Sequence, residues 1–168
     1  GATVGVCWCG AGCTKSETEQ LRALAEQHEL GDDAALEAMA TTVWGNALQQ
    51  ASVEERDGGR TVSLDIVYGS SPKTSLDEET FKSATLGHLA AGACKVVRFG
   101  HGRNLSTLRL TALTRVGNRA SPVALYRVSI AAKPLRTAVQ RGCDDKAVGQ
   151  VRASWHVELD RSERLKMH

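Results

Sequence analysis

Apolar and polar positions change their period along this chain, and the changes mark out its elements. Gly1 to Cys13 carry no charge, and charge begins at Lys15. Ser16-Glu17-Thr18-Glu19 then fits a capping box, with Ser16 accepting from a free backbone N–H and Glu19 reaching back. Leu21, Leu24 and Ala25 predict a helix to about Leu30, where Gly31 supplies a left-handed cap. A second helix starts at Asp32 or Asp33. Its stripe is Leu36, Met39, Ala40, Val43, Ala47 and Ala51, and Asp57-Gly58-Gly59 ends it. The period then becomes two: Val62, Leu64, Ile66 and Tyr68 alternate with Thr61, Ser63 and Asp65, the mark of a half-buried strand. Gly69-Ser70-Ser71-Pro72 breaks it.

Ser75-Leu76-Asp77-Glu78 is a second capping box and opens a third helix. Phe81, Ala84, Leu86, Leu89, Ala90 and Ala93 lie on more than one side of it, which predicts the most buried helix. Val96, Val97 and Phe99 either end it or form a short strand before the break at Gly100-His101-Gly102. Three strand patterns follow: Leu108–Val116, turned by Gly117-Asn118; Val123–Ala132, stopped by Pro134; and Val151–Leu159. Residues 135–149 read as a loop with room for one helical turn. In the last strand Val151, Ala153, Trp155, Val157 and Leu159 share one face, and Arg152, Ser154, His156 and Glu158 the other. Together these predict a single α+β domain over residues 14–168. It has two layers, a largely antiparallel four-stranded sheet and three helices, in the order ααβαβββ. The helices should cover the face carrying Val128, Ile130, Trp155 and Val157.

Composition narrows the class without naming a reaction. The chain has 168 residues, 42% apolar and 24% charged, enough for one domain with a sizeable core. A net charge of +2 with both signs dispersed gives no basic footprint for nucleic acid. Aromatics at 4% offer no stacking platform for single strands, and no apolar run reaches the length of a membrane span.

Cysteine placement changes the picture most. Cys7, Cys9 and Cys13 crowd into seven positions of "VCWCGAGCTKSE", while Cys94 and Cys143 stand alone. Gly10-Ala11-Gly12-Cys13, after small and apolar residues and before a polar stretch, resembles the end of a bacterial lipoprotein signal peptide. A Leu or similar residue is usual where Gly10 stands. The resemblance covers about the first 16 residues. It implies that Cys13 is lipidated, that residues 1–12 are removed, and that a lipid anchors the protein to a membrane of the bacterial cell envelope, in the periplasm or at the outer surface.

Three other readings of the stretch stay open. Thr3–Cys9 fits a buried N-terminal strand, since free cysteine behaves as a small hydrophobe. Cys7, Cys9 and Cys13 fit a soft-metal thiolate loop, though the spacing is not that of a zinc knuckle. Gly10-Ala11-Gly12 before Lys15-Ser16 has the outline of a phosphate loop, but Cys9 and Thr14 stand where the P-loop needs glycine. Removing Cys7 and Cys9 and giving Cys13 to a lipid leaves Cys94 and Cys143 as an even pair, which favours a disulfide in an oxidising compartment.

Elsewhere the candidate chemistry is sparse. His28, His88, His101, His156 and His168 lack zinc-motif spacing, and His88 reads as a core or boundary histidine. Cys143 with His156 has the order of some cysteine hydrolases, with Asp144 adjacent, a pattern any Cys and later His satisfy. Arg127, Arg152 and His156, with Arg109, are candidates for an anion-binding cluster on an open sheet face. Gly100-His101-Gly102-Arg103-Asn104 is a loop able to close on a ligand. The expectation is a non-enzymatic lipoprotein without catalytic residues, metal or cofactor, acting as a binding or assembly subunit with a protein partner in the envelope. The rival is a small ligand-binding domain or enzyme with its site between sheet and helices, which a deep pocket of convergent polar groups there would favour.

Overall fold

Ser16 opens the first helix as the capping box requires: its Oγ accepts from the Glu19 N–H at 3.2 Å. The structure, a computed structural model, describes residues 16–68, 78–115 and 121–161. The opening stretch with Cys13 lies outside the described residues. Helix α1 (Glu17–Glu26) buries Leu21, and α2 (Asp32–Trp44) buries Ala35, Leu36, Met39, Ala40 and Trp44. α2 stops well before the expected end. Gly45, at φ 53, takes a backbone conformation that other residues resist. After a 3-10 turn (Gly45–Ala47) the chain enters strand β1 (Leu48–Arg56), so Ala51 belongs to a strand and not to the helical stripe.

Asp57 and Gly58 do not end a helix. With φ of 50 and 77 they form a two-residue hairpin turn of the type whose twist matches paired strands. Arg56 stands opposite Gly59, and β2 (Gly59–Tyr68) runs back antiparallel to β1. Helix α3 (Glu78–Gly100) then crosses to β3 (Leu105–Thr114), which lies parallel to β2. A parallel pair needs such a crossover. Val96, Val97 and Phe99 are buried in α3 and form no strand. Leu86, Leu89, Ala90, Ala93 and Cys94 are buried with them, in line with the expectation that this is the deepest helix. A Cβ built at Gly92 meets the Trp44 indole, so glycine is what lets α2 and α3 approach there.

β4 (Val123–Ala131) returns antiparallel to β3 and ends before Pro134. The expected loop over 135–149 is instead largely helical. α4 (Ala132–Val139) carries Pro134 in its first turn, where a missing N–H leaves no bond unmade. α5 (Asp145–Ser154) starts at Asp144, whose Oδ1 accepts from the Ala147 N–H at 2.8 Å. Only His156–Asp160 remains as β5, paired antiparallel with β4. The apparent alternation from Val151 was a coincidence: Val151 packs with Ala147 on one side of α5. Trp155 is half-buried against the core, while Val157 is 49% exposed rather than covered.

The fold is therefore α+β, with five helices and one five-stranded mixed sheet of order β1-β2-β3-β4-β5 among the described residues. The expected inward positions of the central strands hold, although β3 is buried at every residue from Leu110 to Thr114. Val62, Leu64 and Ile66, then Leu108, Leu110 and Ala112, then Val128 and Ile130 are buried in one cluster with apolar residues of all five helices. No helix among the described residues is long and apolar enough to cross a membrane.

Candidate functional site

Burying one face of each strand sends the alternate residues to the other face. Two rows of polar side chains result. Ser52, Ser63, Arg109, Ser129 and His156 stand opposite one another across all five strands. The neighbouring row is Gln50, Asp65, Thr111 and Arg127, closed by Leu159. Arg109 pairs with Glu158 at 3.0 Å. Arg127 donates from Nε to the Oγ1 of the buried Thr111 at 3.1 Å. A groove of about 460 Å³ runs beside the rows, lined among others by Glu54, Thr61, Thr107, Arg109, Ser129 and Glu158.

Three of the four expected cluster members thus share this face: Arg109, Arg127 and His156. Arg152 does not. It occupies the last turn of α5, because the segment expected to be a strand there is helical. Among the described residues no group of three His, Cys, Asp or Glu side chains is placed to hold a metal ion.

Cys94 and Cys143 come together as the cysteine count suggested. Their Sγ atoms stand at disulfide-bonding distance with the Cα atoms 5.8 Å apart. Cys94 is fully buried in α3 and Cys143 half-buried between α4 and α5, so the bridge ties the C-terminal helices to the central one.

Two further sites were not legible in the sequence. Arg103, 6% exposed, lies in the short 3-10 turn after α3. It donates from Nη1 to the Leu30 carbonyl at 2.6 Å and from Nη2 to the Leu24 carbonyl at 3.1 Å and the Gln27 carbonyl. Asp32 lies 3.6 Å away and also binds Arg60 at 3.0 Å. The loop read as a ligand lid is thus a clasp on the end of α1. Its acceptors are backbone carbonyls, which leave no mark in a sequence. The second site joins Tyr68 to His88, with the phenol oxygen 2.9 Å from Nδ1 and the rings edge to face. Burial holds the Tyr68 phenol well above its ordinary pKa, with the Trp44 indole working the other way. His88 is exposed, not a core histidine. Beside the clasp, burial and then Arg136 lower the pKa of His101.

Comparison of the chain with known protein families, curated proteins and solved structures finds no match.

Proposed function

We propose that this protein is a lipoprotein of the bacterial cell envelope, tethered through Cys13, and that it acts as a non-enzymatic binding or assembly subunit. The observation that carries the binding role is the sheet face opposite the helices, where two polar rows cross the strands. Such a face suits a broad, polar partner surface, with Arg109, Arg127 and His156 available to acidic groups. The layer between sheet and helices is filled by apolar side chains such as Leu64, Leu89, Leu110 and Ile130, which favours this role over a site buried between the layers. The Cys94–Cys143 pair supports an oxidising compartment and so the envelope location.

The test is the intact mass of the protein recovered from the membranes of cells that make it. The expected species begins at Cys13, carries acyl chains and has no alkylatable thiol at Cys94 or Cys143. A species that keeps the residues before Cys13, with that thiol free, overturns the lipoprotein reading. For the binding role, Arg109→Gln with Arg127→Gln, which removes both charges without setting a carboxylate against Glu158, should abolish co-purification with a partner while far-UV circular dichroism shows the fold retained.

A further inference from the structure

β1 is the long edge of the sheet, nine residues with no partner strand on its outer side among the described residues. Free edges of this length invite another strand, and proteins usually blunt them with lysine, proline or a covering element. The register is irregular at Gln49, but beyond it Gln50 to Val53 contains none of these residue types and no charge.

The hairpin decides which backbone groups face outward. In a two-residue turn the flanking residues, here Arg56 and Gly59, form a hydrogen-bonded pair. Counting back along the register, Glu54, Ser52 and Gln50 aim their N–H and C=O groups at β2. Glu55, Val53 and Ala51 aim theirs outward.

The side chains around Ser52 form a polarity palindrome. Ala51 and Val53 flank it, then Gln50 and Glu54, then Gln49 and Glu55. We infer that two copies of this chain pair antiparallel through β1, about a two-fold axis at Ser52. In that register Ser52 meets Ser52 in a close, non-hydrogen-bonded pair. Ala51 and Val53 exchange backbone hydrogen bonds with their opposite numbers. Glu54 meets the Gln50 amide instead of another carboxylate, and Glu55 falls opposite the irregularity at Gln49, so no like charges are opposed. Ala51 and Val53 already pack against the apolar core, and pairing continues that apolar face into the second copy. A shift of one residue to centre on Val53 sets Ala51 against Glu55 and loses the match. The inference rests on the fold and not on the envelope reading. A contact confined to one strand edge falls short of the roughly 1,200 Å² of a stable interface, so the dimer is reversible and concentration-dependent.

Sedimentation velocity over a concentration series tests this. The unaltered protein should approach twice its monomer mass at the highest concentrations. Ser52→Lys and Ser52→Asp should each stay monomeric, because like charges meet across the axis, and an equimolar mixture of the two should recover the doubled mass. A protein that is monomeric throughout, a dimer indifferent to both substitutions, or a mixture that stays monomeric overturns the pairing. Should either variant fail to fold, amide exchange on the unaltered protein decides. Ala51, Val53 and Glu55 should exchange more slowly as concentration rises. Exchange independent of concentration overturns self-pairing and leaves the edge to an extended peptide partner.

Discussion

Two helical pairs flank the central helix α3, and they are held by different chemistry. The N-terminal pair, α1 and α2, is gripped by a buried guanidinium: Arg103 reaches back to three carbonyls at the end of α1 and to Asp32 at the start of α2. The C-terminal pair, α4 and α5, is fastened by the Cys94–Cys143 bridge. The difference has a physical origin. α2 brings five buried residues to the core, and Arg103 has only to fix the angle of the corner. α4 and α5 are short and bury little beyond Leu135, Val139, Ala147 and Val151, so a covalent tie carries more of their docking.

The largest expected effect comes from breaking the covalent tie. The bridge spans a sequence separation of 49 residues. A loop of that size corresponds to about 4 kcal/mol in the chain-entropy model. Cys143→Ser, or the native protein in reductant, should lower the urea midpoint accordingly without changing far-UV circular dichroism at zero denaturant. Amides of 136–149 should lose exchange protection before those of β2 and β3. A midpoint unchanged by reductant would mean that packing alone holds the C-terminal pair.

Next comes the polar clasp. Arg103→Met keeps much of the side-chain volume but leaves the Leu24, Gln27 and Leu30 carbonyls without this donor, while Asp32 keeps Arg60. Stranding buried carbonyl acceptors costs about 3 kcal/mol. The loss should fall on α1, read as faster exchange in 17–30 and as fluorescence from Trp44 shifted to the red. Arg103→Lys should recover only part of it, since one ammonium cannot span the same fork of acceptors.

These two ties also show what the sequence carries and what it hides. The bridge followed from counting cysteines, because pairing chemistry is written in residue identity. The alternation of Val62, Leu64 and Ile66 located a strand because one sheet face is buried, and the capping box at Ser16 located α1 because a hydroxyl must answer a free N–H. Arg103 stayed hidden because its partners are main-chain atoms of residues more than seventy positions away. The C-terminal pair was misread for another reason. Val151, Ala153, Trp155 and Val157 satisfy a period of two, yet Ala147 and Val151 also satisfy the helical spacing of four, and tertiary packing chose the helix. The β1–β2 hairpin is hidden in the sequence because Ala47 and Ala51 continue the α2 stripe past Gly45, which makes the Asp57-Gly58 turn resemble a helix end. Of the expected polar cluster, Arg109, Arg127 and His156 share one sheet face by strand parity, and Arg152 lies on α5 instead.

Helix caps sharpen the contrast at lower energy. Ser16→Ala and Asp144→Ala each remove one side-chain acceptor from a helix N-terminus, for about 1 kcal/mol. The two should not be equal in consequence. Asp144 sits beside Cys143, so with the bridge intact its loss should be read mainly as fraying of α5, and after reduction it should add fully to the lost stability. Ser16→Ala should be indifferent to reductant. Equal responses to reductant in the two variants would show that the bridge does not act on α5.

His101 lies between the two ties, adjoining the Arg103 turn and facing Arg136 of α4. Its folded-state pKa is lowered from 6.5, first by burial and second by the Arg136 charge. The sign follows from linkage: the folded protein holds the proton more weakly than the unfolded chain, so acid favours unfolding. The stability that depends on neutral His101 is therefore complete above the ordinary histidine pKa and is lost as pH falls from there through the lowered folded value. Protonation would set a second cation beside Arg136, which should loosen α4 before α1. His101→Asn keeps a polar side chain without a titration. It should flatten the decline in melting temperature between pH 7 and pH 5, and Arg136→Gln should soften it by a smaller amount, because burial is the larger cause. An identical decline in all three proteins would place the acid sensitivity elsewhere, and equal flattening by the two variants would make the Arg136 charge the dominant cause.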